Sequence, residues 1–179
     1  PGGDSNYRGV LGAIKSLIKV VPVPVIVKET GCGISREVAG RLLRSGVAGI
    51  EVAGVGGTSW AAVEHYNASL QGDATKAGIA ETFWDWGIPT AMSLCEVASL
   101  GGRFALIASG GIKNGLEVAK ALALGADAAG IARPLLAPAF AGGKDVKARL
   151  EQVIGELRVA AMLVGAAGPS GFKKANVVV

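Results

Sequence analysis

Short apolar runs rich in β-branched residues alternate along this chain with segments of helical periodicity. The run VPVPVIVKE (21–29) precedes a helix predicted to begin after Ser35, and the run VAGIEVAG (47–54) follows that helix. Two strands joined through a helix by short connections form a βαβ unit, in which the strands are parallel. Because Val, Ile and other apolar residues dominate both runs, we expect strands that are covered on both faces. No other feature constrains the fold as strongly.

The same pattern recurs in the second half of the chain, in RFALIASGG (103–111) and ADAAGIA (126–132). We therefore place four strands near residues 24–28, 48–53, 104–108 and 127–131. Four helices are predicted after Ser35, from near Pro89 to Gly101, and over about residues 114–125 and 144–165. This alternation predicts an α/β parallel sheet, either doubly wound or part of a (β/α) barrel. A complete barrel needs about 250 residues, so 179 residues could supply only half of one.

Composition excludes several functional classes. The net charge is +4, but Lys and Arg are scattered and aromatic residues make up only 5%, so we expect no nucleic-acid partner. No apolar run reaches the roughly 18 residues of a membrane span, and we expect no membrane partner. Cys32 and Cys95 are too few for a disulfide framework, which favours reduced thiols and a cytoplasmic location. The length predicts a single domain over residues 1–179.

Glycines follow the third predicted strand directly, in SGGIKNG (109–115). Bare glycines before a helix let backbone N–H groups approach a phosphate, and the helix dipole favours its negative charge. The next strand ends in GIARP (130–134), where Arg133 could add a cationic clamp. The last two βα loops of barrels often form such a site. We predict a phosphate site here, with a plain turn as the alternative.

Two further strand ends carry groups that could contact a ligand. Lys28 ends the first apolar strand, where a charge points toward the catalytic face of a barrel; the alternative is a salt bridge that caps the barrel. The hydroxyl of Thr58 lies in the glycine-rich segment VAGVGGTSW (52–60), which could also be a simple turn. His65, the only His, has no partner nearby in the sequence, and we interpret it as structural. No spacing of His, Cys, Asp or Glu indicates zinc.

Five segments together resemble the type 2, FMN-dependent isopentenyl diphosphate isomerases: PVIVKETGCGIS, VAGVGGTSW, FWDWGIPTAMSL, IASGGIKNGLEVAKALALGAD and GIARPLL. The resemblance covers the whole chain but only the second half of the family's protein, so the preceding half lies outside this chain. It implies a C-terminal half-barrel, strands five to eight of a TIM (β/α)8 fold. It also implies isomerisation of isopentenyl diphosphate, a small-molecule diphosphate, to dimethylallyl diphosphate in isoprenoid biosynthesis.

The resemblance further implies how this chain holds FMN. Lys28 would contact the flavin ring, Thr58 would hydrogen-bond FMN, and Ala53 and Gly54 would line the ribityl side; the family often has Ser where Ala53 stands. The FMN phosphate would be held by Gly110, Gly111, Ile112, Lys113, Ala132 and Arg133. No side chain of this chain is expected to be catalytic, since reduced flavin is thought to be the acid–base group in the family.

The remaining cofactors implied are NADPH, which reduces FMN, and Mg²⁺ for the substrate diphosphate. The family's metal-binding Glu and its substrate-binding His, Asn and Gln all precede Pro1, so we expect no metal site here and no activity of the isolated chain. One alternative is an oxidoreductase like the FMN-dependent 2-hydroxyacid oxidases, which would need a His after the third strand. Another is a non-catalytic phosphate-binding half-barrel. Open sheet edges favour a homo-oligomer.

Overall fold

Four short parallel strands lie side by side in chain order in the computed structural model, which describes residues 6–175 and 177. They are β1 (Ile26–Lys28), β2 (Gly49–Glu51), β3 (Ala105–Ala108) and β4 (Ala128–Ala129). All four fall within the predicted runs, and each is shorter than its run. A doubly wound sheet reverses its strand order at a switch point, whereas a barrel adds neighbours in sequence. The order β1-β2-β3-β4 therefore selects the barrel type from the two alternatives.

Eight α-helices and one 3-10 helix accompany the strands in the described part of the chain, so the prediction of four helices was wrong. They are α1 (Val10–Val20), α2 (Arg36–Leu43), α3 (Trp60–Leu70), α4 (Ala74–Thr82), α5 (Thr90–Ala98), α6 (Gly115–Ala123), α7 (Arg133–Ala141), α8 (Gly143–Leu163) and the 3-10 helix Pro169–Lys174. The predicted helices correspond to α2, α5, α6 and α8. Helix α7 was missed because it holds two prolines, of which Pro134 lies in the first turn, where proline is tolerated.

Side-chain caps fix where several helices begin. The Ser35 hydroxyl accepts a hydrogen bond from the Val38 N–H, as predicted, and the Asn114 side chain accepts one from the Glu117 N–H. Each cap satisfies a donor of the first turn that has no partner within the helix. The loop after β3 therefore ends at Asn114, and its glycines lie between the carboxyl end of β3 and the start of α6.

The core lies between the sheet and the helices that cover it. Ile50 and Val52 from the β2 region and Leu94 and Val97 from α5 are almost wholly buried. Burying a side chain of this size stabilises a fold by about 1.5–3 kcal/mol. A second cluster joins α6 and α8 to the C-terminal 3-10 helix through buried Phe172. These contacts fix the strand ends that form the site.

The two outer strands leave the sheet open within the described residues, since β1 pairs only with β2 and β4 only with β3. Ile26 of β1 is 45% exposed, although the predicted run suggested a strand covered on both faces. No helix in residues 6–175 is both long and apolar enough to cross a membrane.

Candidate functional site

A cavity of about 500 Å³ lies at the carboxyl ends of the four strands. The loops after β1, β2, β3 and β4 all contribute to its wall. Each of the ten predicted site residues lines it: Lys28, Ala53, Gly54, Thr58, Gly110, Gly111, Ile112, Lys113, Ala132 and Arg133. This is the face on which TIM barrels carry their active sites. Residues from four segments of the sequence therefore meet in one place.

The glycines after β3 are required by contact between two loops. Gly110 and Gly111 have φ angles of 99° and 84°, a left-handed conformation that favours glycine. A Cβ on Gly110 would overlap the carbonyl oxygen of Gly54, and one on Gly111 would overlap that of Gly56. The approach of a phosphate is the reason predicted for these glycines from the sequence. The structure adds a reason that the sequence did not reveal, the packing of the β3 loop on the β2 loop.

Thr90, the last residue of the WGIPT motif, ties this pair of loops to α5. Its hydroxyl donates a 2.6 Å hydrogen bond to the carbonyl oxygen of Gly110. The Gly54 N–H donates to the carbonyl oxygen of Ser109 at 3.0 Å, which joins the β2 and β3 loops directly. The wall of the cavity is thus a hydrogen-bonded layer of backbone.

The far side of the cavity is formed by the beginning of α7. Ala132 and Arg133 stand at the N-terminus of this nine-residue helix, and no side chain caps it. The first N–H groups of a helix have no partner within it and carry partial positive charge. Lys113, on the facing β3 loop, and Arg133 add two cationic side chains to the same cavity. This arrangement suits a phosphate group.

A hydrogen-bonded cluster at the strand ends includes two residues that the sequence argument missed. Lys28 and Glu51 are register partners across β1 and β2, and their Nζ and Oε1 atoms are 3.0 Å apart. The Ser109 hydroxyl donates to the same Glu51 oxygen at 2.6 Å. Glu51 could have been found by the signal that identified Lys28, a charge at the end of an apolar strand. The salt bridge considered as an alternative for Lys28 is present, and Lys28 also faces the cavity.

Ala53 has a φ angle of 38°, the only positive value at a non-glycine residue in the described chain. The conformation costs an L-residue roughly 1–2 kcal/mol and persists only where its surroundings hold it. Ala53 is buried, and its carbonyl oxygen accepts a hydrogen bond from the Gly33 N–H at 3.1 Å. One strained backbone residue therefore lies in the cavity wall.

A second cavity, of about 410 Å³, adjoins the first and shares Gly31, Gly56, Gly57 and Thr58 with it. Its other walls carry the aromatic side chains Trp60, Phe83, Trp84 and Trp86. Helices α3 and α4 fold as a hairpin beside it, within the long segment after β2. His65 lies in that hairpin and lines neither cavity, since its Nδ1 is bonded to the carbonyl oxygen of Ala77 at 3.0 Å. This contact confirms the structural interpretation of His65.

The described residues offer no cluster of metal ligands, and the Cys32 thiol is not activated. Residues 6–175 contain no group of three His, Cys, Asp or Glu side chains arranged to hold a metal ion. Burial, with a smaller effect of the Glu29 carboxylate, raises the pKa of the Cys32 thiol. A raised pKa keeps the thiol protonated and weakens it as a nucleophile.

Fold and cavity together define an α/β partial TIM barrel with a cavity at the carboxyl ends of its strands. The chain belongs to the FMN-dependent dehydrogenase family, whose model matches residues 9–178. A solved structure of mandelate oxidase superposes with a TM-score of 0.70 and 24% identity, covering 94% of this chain and 42% of that chain. That likeness supports the fold alone.

Curated relatives in two organisms bear the name isopentenyl-diphosphate delta-isomerase. The relative in Stutzerimonas stutzeri is 49% identical over 99% of this chain and 50% of its own length. The relative in Methanoregula boonei is 47% identical over 100% of this chain and 50% of its own length. These relatives confirm the resemblance drawn from the motifs. The chain spans about half the length of the curated relatives it matches.

Proposed function

We propose that this chain is the FMN-binding part of an isomerase that converts isopentenyl diphosphate to dimethylallyl diphosphate. The observation that carries the proposal is the convergence of the Gly110–Lys113 loop and the α7 N-terminus on one cavity. The high identity to proteins named isopentenyl-diphosphate delta-isomerase supports the reaction. The proposal places the chain as one domain, the C-terminal half of the barrel, in a cytoplasmic homo-oligomer.

The donors around the cavity fit the phosphate of FMN. Two cations, Lys113 and Arg133, stand beside the uncapped N-terminus of α7. A phosphomonoester carries close to two negative charges at neutral pH, which two cations and a helix dipole balance. Gly110 and Gly111 add no side chain at that end of the cavity, and a Cβ at either glycine would collide with the facing loop. Ile112, the next residue, also lines the cavity.

The remaining predicted residues divide between the ribityl chain and the ring. Ala53 and Gly54 offer backbone and no long side chain beside the phosphate end, and Thr58 is exposed at the cavity edge with its hydroxyl available. Lys28 lies across the cavity at the end of β1. A cation at that position favours negative charge on the ring.

The isomerisation adds one proton at C4 of the substrate and removes one from C2, so it needs no net oxidation or reduction. Bound FMN, kept reduced by NADPH, supplies this acid–base chemistry. The residues that line the cavity would hold the cofactor and set the charge beside it. We propose Mg²⁺ as the ion that neutralises the substrate diphosphate, and we assign it no ligand among the described residues.

An FMN-dependent oxidation of 2-hydroxyacids is the second candidate, because the fold is shared with mandelate oxidase. Such a reaction needs a general base such as His to take a proton from the substrate. His65, the only His of the chain, is bonded within the α3–α4 hairpin and lines neither cavity. The position of His65 favours the isomerase.

A chimera tests the proposal in the context of a whole barrel. The matched 177 residues of the Stutzerimonas stutzeri relative would be replaced by this chain, and turnover of isopentenyl diphosphate measured with FMN, NADPH and Mg²⁺. We expect isomerase activity and no oxidation of lactate or mandelate. A chimera that folds and binds FMN but turns over only the hydroxyacids would contradict the proposal. The 179-residue chain alone is expected to show no isomerase activity.

A further inference from the structure

Lys28 and Glu51 form an ion pair that is also hydrogen-bonded to a third side chain, that of Ser109. The Glu51 side chain is 21% exposed and the Lys28 side chain 53% exposed, so the carboxylate is the more buried member. Both Lys28 and Ser109 bind a single oxygen of Glu51, at 3.0 Å and 2.6 Å. Three neighbouring strand ends therefore supply one cluster, and Lys28, Glu51 and Ser109 all line the main cavity.

The stability of the fold does not explain this cluster. Ion pairs that reach solvent contribute only about 0–1 kcal/mol, since each charge gives up hydration and side-chain freedom to form the pair. A carboxylate that is partly removed from water is stabilised by a hydrogen bond. This explains why Ser109 donates to Glu51, but it does not explain why a carboxylate is present at position 51. An apolar side chain could have filled the position. Because Glu51 pairs with Lys28 and both line the cavity, its placement indicates instead a role in setting the charge within the cavity.

We propose that Glu51 is a positioning residue that holds Lys28 and balances its charge, so that the pair sets the reduction potential of the bound flavin. The inference rests on the proposed function, because it takes FMN as the occupant of the cavity. Reduction of FMN by two electrons and one proton leaves one further negative charge on the ring. A cation nearby favours that charge and a carboxylate opposes it. Lys28 and Glu51 then act on the reduced cofactor with opposite signs.

The opposite signs separate this role from a structural one. The midpoint potential of bound FMN would be measured by reductive titration with dithionite against a reference dye, at low salt, in the 179-residue chain and in the chimera. We expect Glu51→Gln to raise the potential and Lys28→Met to lower it. The double variant, which replaces a balanced pair by two neutral groups, is expected to lie near the wild type. Loss of the Ser109 hydroxyl in Ser109→Ala should give a smaller shift than Glu51→Gln.

A matched control is available in the α3–α4 hairpin, where Lys76 and Glu64 form a similar pair at 2.8 Å and line neither cavity. Glu64→Gln and Lys76→Met remove the same charges and should leave the potential unchanged. Equal potentials in the wild type and Glu51→Gln, or shifts of the same sign in Glu51→Gln and Lys28→Met, would overturn the inference while leaving FMN binding intact. If neither the 179-residue chain nor the chimera without further substitutions binds FMN, the proposed cofactor site itself is wrong.

Discussion

The Thr90 hydroxyl donates a 2.6 Å hydrogen bond to the carbonyl oxygen of Gly110, linking the first residue of α5 to the first glycine of the β3 loop. Residues twenty positions apart in the sequence thereby share one contact at the edge of the main cavity. The same hydroxyl lies within 3.3 Å of the Ser109 carbonyl oxygen. Thr90 therefore supplies a donor to the carbonyl oxygen of Gly110 and fixes the β3 loop against α5.

Replacing Thr90 should show how much that hydrogen bond contributes to the free energy of unfolding. Thr90→Val keeps the shape of the side chain but leaves a partly buried carbonyl without its donor, which costs about 1–3 kcal/mol. Thr90→Ser keeps the hydroxyl and is expected to lose much less. Urea unfolding of the wild type and both variants measures the difference in the free energy of unfolding. Equal stability of the Val and Ser variants would show that the hydrogen bond contributes nothing.

Gly110→Ala should strongly destabilise the fold, although it adds only one methyl group. The added Cβ overlaps the carbonyl oxygen of Gly54, and the residue has a φ angle of 99°. Strain and overlap together are expected to cost several kcal/mol, detected as a lower thermal unfolding temperature or as insoluble protein.

Gly155→Ala is the matched control for Gly110→Ala. Gly155 lies inside α8, and a Cβ there meets no atom within 4 Å. Alanine in a helix interior is favoured over glycine by roughly 0.5–1 kcal/mol, so this variant should be more stable than the wild type. If both variants had similar effects, the close contact between the loops would not be what requires glycine at position 110.

Arg133→Gln should weaken FMN binding. A hydrogen bond to a charged group contributes about 1.5–3 kcal/mol, which corresponds to an affinity loss of roughly 10- to 100-fold. Quenching of flavin fluorescence on titration with protein measures it. Arg41→Gln removes the same charge from the exposed face of α2, where Arg41 pairs with Glu37, and should leave the affinity unchanged. A similar loss of FMN affinity in both variants would show that Arg133 acts only through the overall charge of the protein.

Asp127 is expected to make stability fall in acid. Partial burial alone would raise the pKa of Asp127, but the Leu106 N–H and the Lys173 ammonium lower it below its ordinary value of 3.8. A lowered pKa in the folded state means that the stabilisation is present above that ordinary value and is lost as the pH falls through the folded pKa. Asp127→Asn should therefore flatten the decline in the free energy of unfolding as the pH falls below about 3.8, by about the contribution of this one group. An unchanged slope would contradict the account.

The sequence predicted the four strands because they depend on local pattern. The resemblance to the FMN-dependent isomerases implied the full set of ten residues that line the main cavity. Apolar runs mark buried strands, and in a parallel sheet their ends meet at one edge. The contact of Gly110 with Gly54 joins residues fifty-six positions apart, and a single sequence carries no signal for it. The roles assigned to the ten residues toward FMN stay predictions until binding is measured.

Other features were missed for reasons that can be named. Helix α7 was overlooked because its prolines discourage a helical prediction, although Pro134 lies where proline is tolerated. Glu51 was taken for part of an apolar run, and its importance depends on Lys28 lying opposite on the next strand, a register that only the fold supplies. Side chains that act in pairs across strands are the hardest to find from sequence.

The central claim is that the loop after β3 and the start of α7 hold a phosphate. Its most direct test compares the affinity of the chain for FMN with that for riboflavin, which lacks only the phosphate. Two or more charged hydrogen bonds of about 1.5–3 kcal/mol each predict that FMN binds roughly 100-fold more tightly or better, and that Arg133→Gln narrows the ratio. Equal affinity for FMN and riboflavin would contradict the account.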